Sequence, residues 1–363
     1  MPRHEAWELK SMQAASLPVK IAMTRERIYE WIDEFGEDGV YLSFSGGKDS
    51  TVLLDIIREE FEDIPAVFVN TGLEYPSVQK FAKSKDNVVE LRPSLTFTEI
   101  VRKYGYPVIS KEVAGKVKQF RDKPDGSASK CFQGNGGMFD YTSYLWLTKA
   151  PFRISAECCD ISKKSPAISY ANKTGRKPIV ATMAEESRLR KQKWLMHGCN
   201  AFDTEHPQSN PMAFWTENDV LAYIHRKNLP IAEAYGEVVG DEGDEIKGQQ
   251  SIHDALGDYT DCKFRTTGCN RTGCVFCLFG IRTDKTRLTH LKEVEPKICD
   301  HVMRGGQIVD GMWEPGNGGL GYWFVLEWLN LRGNLGIEIP DRDRYMKEYM
   351  TPEIEEMLKG TPV

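Results

Sequence analysis

The sequence has no stretch of about 18 uninterrupted apolar residues, so nothing in it predicts a membrane-spanning helix. Its first residues mix charged with apolar side chains and lack the apolar core of a secretory signal. The formal net charge of −6 argues against a protein that coats nucleic acid through bulk positive charge. Internal repeats and low-complexity tracts are also lacking. We therefore expect a cytoplasmic globular protein of 363 residues with no membrane partner.

A disulfide framework is not expected either, because nine cysteines is an odd number in a chain without a secretion signal. Most of the cysteines are clustered. Cys158 and Cys159 are adjacent, whereas Cys131 and Cys199 stand alone, and we interpret the latter two as reduced, buried side chains. Four more lie within 16 residues: Cys262, Cys269, Cys274 and Cys277. Clustering of this kind is typical of metal or iron–sulfur ligation in a reducing compartment.

Hydrophobic periodicity predicts alternating helices and strands over the first half of the chain. Apolar residues at helical spacing predict a helix at Leu17–Phe35, and a short apolar run predicts a buried strand at Val40–Phe44. Further helices are predicted at 51–61, 76–83 and 185–196, and further strands at 65–69, 87–91 and 178–182. This alternation indicates an α/β fold, Rossmann-like, with a parallel twisted sheet and helices on both faces.

A phosphate-binding loop is predicted between the first strand and the next helix. Its residues are Ser45, Gly46, Gly47, Lys48, Asp49 and Ser50. The two glycines permit a tight turn and close approach of a ligand, and the exposed N–H groups of a helix start favour an anion. Lys48 adds a positive charge and the two serines add hydroxyl donors, whereas Asp49 suits this position only if it holds Mg²⁺ or orients a water molecule. The spacing matches neither Walker A nor G-x-G-x-x-G.

Together with later segments, this loop resembles the phosphoadenosine phosphosulfate (PAPS) reductase family, within the wider group of PP-loop ATP pyrophosphatases. The later segments are Asn70-Thr71-Gly72-Leu73-Glu74, Cys158-Cys159 with Lys163, Lys164 and Pro166, Glu186-Ser187 with Arg190, and 271–277. A weaker match runs from Asn210 to Pro230. The resemblance implies a PP-loop fold and an adenine nucleotide, either ATP or a related molecule, as ligand.

The resemblance also implies site residues. It places one segment beside the adenine and ribose: Asn70, Thr71, Gly72 and Glu74. Glu186, Ser187 and Arg190 would lie near the phosphates, with the Glu186 carboxylate holding Arg190 on a phosphate. Lys48, Asp49 and Arg190 are therefore the predicted catalytic residues. The chain departs from the family at 181–183, where Ala-Thr-Met replaces Gly-x-Arg, so an anion-binding arginine is either missing or supplied by Arg188.

In the APS-reductase branch of the family, a Cys-Cys pair and a later Cys-x-x-Cys bind a [4Fe–4S] cluster. The matching residues are Cys158, Cys159, Cys274 and Cys277, and nearby lysines would offset the charge of the cluster. The alternative is Zn²⁺ held by Cys262, Cys269, Cys274 and Cys277, and Cys269 could also replace a member of the first pair. The family's catalytic tail cysteine has no counterpart, because no cysteine follows Cys299, whose position after Pro296 predicts a helix.

The chain is predicted to contain four regions. A PP-loop domain covers 1–232 and includes an inserted loop at 124–137. An acidic insertion at 233–261, a cysteine-rich segment at 262–304 and a C-terminal extension at 305–363 follow.

The first functional hypothesis is an enzyme that cleaves ATP between the α and β phosphates and adenylates an acceptor, such as a nucleobase or another oxygen to be exchanged for sulfur. An iron–sulfur cluster would take part, and a sulfur or thiol donor protein would be a partner. Basic residues at 111–123, 163–177 and 188–193 could contact a nucleic-acid acceptor, although a solvated surface is the commoner reason for such charges.

Two alternatives are open. One is an APS or PAPS reductase that releases sulfite, which the cysteine pairs favour and the missing tail opposes. The other is a catalytically silent nucleotide-binding accessory subunit, against which the retention of Lys48 and Asp49 argues.

Overall fold

The computed structural model describes residues 3–134, 140–240 and 263–360. Its helices, in chain order, are α1 Ala6–Gln13, α2 Leu17–Phe35, α3 Lys48–Arg58, α4 Pro76–Lys83, α5 Phe97–Tyr104, α6 Lys111–Asp122, α7 Ser127–Phe132, α8 Glu157–Cys159, α9 Ser165–Thr174, α10 Arg188–His197, α11 Glu217–Lys227, α12 Arg287–Val294, α13 Pro296–Met303, α14 Tyr322–Gly333, α15 Arg342–Tyr349 and α16 Pro352–Lys359. None of these helices is both long enough and apolar enough to cross a lipid bilayer.

The strands are shorter and fall into several sheets. They are β1 Val40–Phe44, β2 Ala66–Val69, β3 Val88–Leu91, β4 Val108–Ile109, β5 Lys177–Val180, β6 Asn200–Ala201, β7 Gln208–Ser209, β8 Val238–Gly240, β9 Phe264–Thr266, β10 Leu278–Phe279, β11 Gln307–Val309 and β12 Met312–Glu314.

The chain divides into two compact units, each assembled from separate stretches. The first consists of Met1–Asn70, Glu74–Arg92 and Ser165–Gly273, and the second of Thr71–Leu73, Pro93–Lys164 and Cys274–Val363. This division differs from the continuous regions predicted from the sequence. One physical reason for the difference is the parallel pairing of β4 with β10, which joins the 93–164 stretch to residues that follow Cys274.

The first unit is built on a six-stranded sheet in the order β3-β2-β1-β5-β7-β6. All neighbouring strands are parallel except β6, which runs antiparallel to β7. The α/β fold with a mostly parallel sheet flanked by helices is therefore confirmed. The chain builds β2 and β3 on one side of β1 and then β5 and β7 on the other, so the strand order reverses beside β1. Open sheets of this kind bind ligands at the carboxyl ends of the strands next to such a reversal.

The core of the first unit follows the predicted apolar pattern. Val40, Leu42 and Phe44 of β1 are buried, as are Val52, Leu53, Ile56 and Ile57 on the apolar side of α3. The observed bounds of α2, β1 and α4 agree with the predicted ones. Helix α3 starts at Lys48, three residues before the predicted start, because the phosphate-loop residues form its first turn.

The second unit has an aromatic core around α14. Trp313 stacks on Phe324 with ring centroids 4.4 Å apart, and Trp323 packs edge-on against Trp313. The guanidinium of the half-buried Arg121 donates hydrogen bonds to four backbone carbonyls, those of Leu147, Thr148, Ala150 and Phe152. These bonds tie the 142–152 segment to α6.

Two predicted insertions lie partly outside the described residues. Within the stretch predicted to be a loop at 124–137, the structure has helix α7, and residues 135–139 are not among those described. Of the acidic stretch at 233–261, the structure describes the first eight residues, which form a 3₁₀ turn at Glu233–Tyr235 and strand β8.

Candidate functional site

The predicted phosphate loop connects β1 to α3 at the carboxyl edge of the sheet. Its two serines fold the loop on itself: the Ser45 N–H donates to Ser50 Oγ at 3.2 Å, and the Gly47 N–H donates to Ser45 Oγ at 3.2 Å. The two hydroxyl oxygens lie 3.0 Å apart. The serines therefore shape the loop and orient its backbone amides.

Close neighbours restrict both glycines, Gly46 more strongly than Gly47. Gly46 has φ +72°, and a Cβ there would lie 3.0 Å from Val78 Cγ1 and 3.1 Å from Ala82 Cβ on α4. A Cβ at Gly47 would lie 3.1 Å from the hydroxyl oxygen of Tyr235. Any other residue at Gly46 would have to push α4 away from the loop, in a backbone conformation that side chains rarely adopt.

Lys48 is buried within the first unit. Its Nζ donates to the backbone oxygen of Asn270 at 3.1 Å and lies 3.2 Å from Glu217 Oε1 and 3.7 Å from Asp49 Oδ1. The residue is only 4% exposed, so its ammonium group is held in a fixed place beside the loop. Such a charge can face a phosphate without first having to be ordered.

One oxygen of the Asp49 carboxylate, Oδ1, has no hydrogen bond with any residue that the structure describes, although the Lys48 ammonium group lies 3.7 Å from it. This oxygen is buried. Burial raises the pKa of Asp49 above its ordinary value, while the positive charges of Lys48, Arg271 and Arg190 act in the opposite direction. A buried carboxylate oxygen without a donor is energetically unfavourable, and a bound cation would relieve this cost.

Glu186, Ser187 and Arg190 lie together at the start of α10, after β5. Ser187 caps the helix, with its Oγ accepting from the Arg190 N–H at 3.2 Å. The Glu186 carboxylate forms an ion pair with the Arg190 guanidinium and accepts from the Met183 N–H at 3.2 Å. Burial lowers the pKa of Arg190, and nearby Arg271 lowers it further. Arg188, the predicted substitute for the missing arginine, is the first residue of α10.

The segment predicted to face the adenine and ribose is divided between the units. In the first unit, Asn70 Nδ2 donates to Glu90 Oε1 at 2.8 Å, and Glu74 is buried, with its carbonyl accepting from Gln79. In the second unit, Thr71 Oγ1 accepts from the Leu73 N–H at 3.1 Å, and Gly72 has φ +73°. The roles of these four residues stay predictions.

Five residues beside the loop were missed by sequence reasoning: Glu217, Tyr235, Asn270, Arg271 and Thr272. Arg271 and Thr272 belong to the 271–277 segment of the family resemblance. That resemblance could have identified them as site residues, but the segment was interpreted only through its cysteines. The others carry no local signal, because Tyr235 is 187 residues from the Lys48 that it contacts.

Four cysteines of the second unit form the candidate cluster site. Cys158 and Cys159 lie on α8, with their sulfur atoms 4.0 Å apart. The Cys277 N–H donates to the Cys274 carbonyl at 3.1 Å, and Cys277 Sγ accepts from a backbone N–H at 3.4 Å. The charges of Cys274 and Cys277 contribute to raising the pKa of Cys158, after its hydrogen bond with Cys159 and its burial. The two pairs are therefore close enough to interact electrostatically.

One thiol of this group is prepared to ionise. The hydrogen bond from Cys158 lowers the pKa of Cys159 below its ordinary value, and the charges of Lys111 and Lys163 add to this effect. Thiolates next to lysines suit a negatively charged iron–sulfur cluster. Among the described residues, no three His, Cys, Asp or Glu side chains converge on a single metal-ion position. The thiolates of a [4Fe–4S] cluster bind four different irons, so they are spread more widely than the ligands of one ion.

The four cysteines of the alternative zinc site do not all belong to the same unit: Cys269 lies in the first unit, and Cys274 and Cys277 lie in the second. Cys262 lies outside the described residues. Cys269 is buried in the first unit, where its N–H donates to the Ala234 carbonyl at 2.8 Å. The choice between zinc and an iron–sulfur cluster stays a prediction.

The remaining cysteines have different environments. Cys299 is buried on α13, as its predicted helical position suggested; its Sγ lies 3.5 Å from the Leu288 oxygen, and burial raises its pKa to about 11. Burial also raises the pKa of Cys199 to about 11, in agreement with its predicted burial. Cys131 differs from the prediction, because it is only partly buried on α7.

Comparison with known proteins identifies a family match for one segment of the chain. Residues 39–110 match the family model of the phosphoadenosine phosphosulfate reductase domain. The resemblance inferred from the sequence is thus confirmed for the segment with the phosphate loop and Asn70 to Glu74. This segment is typical of PP-loop nucleotide-binding enzymes.

Two relatives extend the comparison. Over 70 residues the chain is 41% identical to an uncharacterized protein of Methanocaldococcus jannaschii, a match that covers 18% of this chain and 17% of that protein. The structure is also similar to a crystal structure of PAPS reductase from Candida auris in a phosphate complex. That similarity has a TM-score of 0.34 at 14% identity, over 58% of this chain and 82% of the other.

Proposed function

We propose that the chain is a Mg²⁺-dependent enzyme that binds ATP at the 45–50 loop and transfers the adenylate group to an acceptor. An acceptor oxygen would attack the α-phosphorus, and the bond from that phosphorus to the oxygen bridging to the β-phosphate would break. Pyrophosphate would leave, and the acceptor's proton would pass to water. The acceptor is a nucleobase or another oxygen that is later exchanged for sulfur.

The observation that carries this proposal is the unsatisfied Oδ1 of Asp49 at the start of α3. Departure of pyrophosphate builds up negative charge, which a divalent cation held by a carboxylate neutralises. A carboxylate beside a phosphate loop would otherwise repel the nucleotide. Lys48 would contact the phosphates as a fixed positive charge, and Arg190, oriented by Glu186, would stabilise the charge that develops on them.

Cys158, Cys159, Cys274 and Cys277 fit a [4Fe–4S] cluster, since they supply four thiol ligands with lysines close to Cys159. When bound, such a cluster would supply electron transfer or a binding position for sulfur. A sulfur or thiol donor protein is the corresponding partner.

A sulfonucleotide reductase would need a reactive thiolate outside that group. Cys299 is a poor candidate, because its sulfur is buried within a helix and its pKa is raised. The experiment therefore also measures sulfite release, the result expected of a reductase.

The test measures pyrophosphate release from ATP by anaerobically purified protein, with and without Mg²⁺, in the presence of nucleic-acid or small-molecule acceptors. We expect release that depends on Mg²⁺ and is lost in Lys48→Ala. The matched control is Lys80→Ala, which removes an exposed lysine of α4 in the same unit. ATP binding without release under any condition would favour the silent accessory subunit. Sulfite release from APS or PAPS, abolished by Cys299→Ser or Cys131→Ser, would restore the reductase.

A further inference from the structure

Two parts of the chain distant in sequence meet at the start of α3. The Tyr235 hydroxyl accepts a hydrogen bond from the Lys48 N–H at 3.2 Å and lies 2.6 Å from Thr272 Oγ1. The Asn270 carbonyl accepts from Lys48 Nζ at 3.1 Å. Residues on both sides of Arg271 thus contact the phosphate loop or its partner tyrosine.

This arrangement is held rigidly by backbone packing. Strands β8 and β9 pair antiparallel, and beyond them the Gly268 N–H donates to the Tyr235 carbonyl at 2.9 Å. A Cβ at Gly268 would lie 2.5 Å from the Ala234 oxygen, and a Cβ at Gly236 would lie 2.3 Å from Thr267 Oγ1. The two glycines therefore allow the backbones to approach closely, which fixes the Tyr235 ring; only 3% of this residue is exposed.

Arg271 brings an additional positive charge to the loop. Arg271 is an exposed residue, and among the described residues its side chain has no hydrogen bond or ion pair. It lies close enough to Asp49 and Arg190 for its charge to oppose the rise that burial causes in the pKa of Asp49 and to add to the lowering that burial causes in the pKa of Arg190. Arg190 is already paired with Glu186, whereas the exposed Arg271 adds a positive charge that a phosphate can use.

We propose that Asn270–Thr272 together with Tyr235, here named the clamp, is a second phosphate-binding element for the nucleotide. Arg271 binds the phosphates and supplies the arginine that the 181–183 segment lacks. The hydroxyl groups of Tyr235 and Thr272 hydrogen-bond to each other, which leaves one hydroxyl hydrogen of the pair to donate to the phosphate oxygen nearest the start of α3. The clamp thus selects nucleotides that carry a polyphosphate chain. This inference rests on the proposed ATP site.

The test is equilibrium binding of ATP and of adenosine to the full chain, measured by calorimetry or competition. A charge-assisted hydrogen bond contributes about 1.5–3 kcal/mol, so Arg271→Gln should weaken ATP binding at least about tenfold while adenosine binding is unchanged. Tyr235→Phe should weaken ATP binding several-fold, again without an effect on adenosine. Arg271→Lys keeps the positive charge but loses the planar guanidinium that can donate two parallel hydrogen bonds to a phosphate. It should therefore weaken ATP binding less than Arg271→Gln does.

Arg265→Gln is the matched control, because Arg265 is an exposed arginine on β9 and its loss changes the net charge equally. ATP affinity that is unchanged in Arg271→Gln would overturn the clamp and leave the ATP site standing. An equal loss in Arg265→Gln, or a parallel loss of adenosine binding, would also overturn it, because the cause would then be bulk charge or misfolding. Failure of the unmodified chain to bind ATP would overturn the proposed function itself.

Discussion

Replacement of Gly46 by alanine gives a sharp test of how the phosphate loop is built. A left-handed backbone conformation costs an alanine roughly 1–2 kcal/mol relative to its preferred state. The new methyl group would also lie 3.0 Å from Val78 Cγ1 and 3.1 Å from Ala82 Cβ. Overpacking of this kind costs about 1–3 kcal/mol. The two contributions together predict a loss of about 2–5 kcal/mol in the free energy of unfolding.

Gly175→Ala is the matched control for the backbone contribution. Gly175 lies in the first unit and has φ +74°, nearly the same as Gly46, but a Cβ there meets no atom within 4 Å. Its replacement should therefore cost only the roughly 1–2 kcal/mol of conformational strain. The difference between the two variants isolates the contact between the loop and α4.

Hydrogen exchange of the β1 and β2 amides is the appropriate assay, because these strands report on the first unit alone. Gly46→Ala should increase their exchange well beyond Gly175→Ala, and ATP affinity should fall in parallel as the loop shifts. Equal exchange in the two variants would refute the reasoning, since it would mean that α4 does not restrict the loop.

Three further predictions follow from single contacts. Burial raises the pKa of Asp49, so ionising this carboxyl destabilises the folded protein as the pH rises from the ordinary pKa of an aspartate to the raised one. Asp49→Asn should therefore raise the thermal unfolding midpoint of the nucleotide-free protein at pH 7 and reduce Mg²⁺-dependent pyrophosphate release. Cys158→Ser should remove most of the iron from anaerobically purified protein, whereas Cys199→Ser should retain it; stoichiometric zinc without iron would contradict the cluster. Arg121→Gln should destabilise the second unit by about 3 kcal/mol or more, measured by hydrogen exchange of α6, because four carbonyls lose their donor.

The sheet of the first unit could be predicted from sequence because its signals are local. The apolar residues of Leu17–Phe35 and Val40–Phe44 specify their elements without help from distant contacts. The helix at Ser127–Phe132 could not be predicted, since its Gly- and Ser-rich surroundings favour a loop. The division into two units depends on pairing between residues 108 and 278, which no local pattern reveals.

Some residues of the candidate site could likewise be predicted from local sequence, whereas others could not. Lys48, Asp49 and Arg190 lie in short segments whose residue types and order are informative by themselves. Tyr235 and Arg271 reach the loop only because Gly236 and Gly268 allow two distant backbones to pack closely. A glycine in a sequence does not identify the backbone that approaches it, so these contacts required the structure.

The discontinuous first unit also has a consequence for synthesis of the chain on the ribosome. Strand β1 ends at Phe44, and β5, which completes its pairing, begins at Lys177. At about 5–20 residues per second, the free edge of β1 would wait about 7–27 s for its neighbour to be made. During this interval an apolar strand edge is open to pairing with other chains. The nascent protein should therefore depend on chaperones more than a chain of its length whose neighbouring strands follow one another directly.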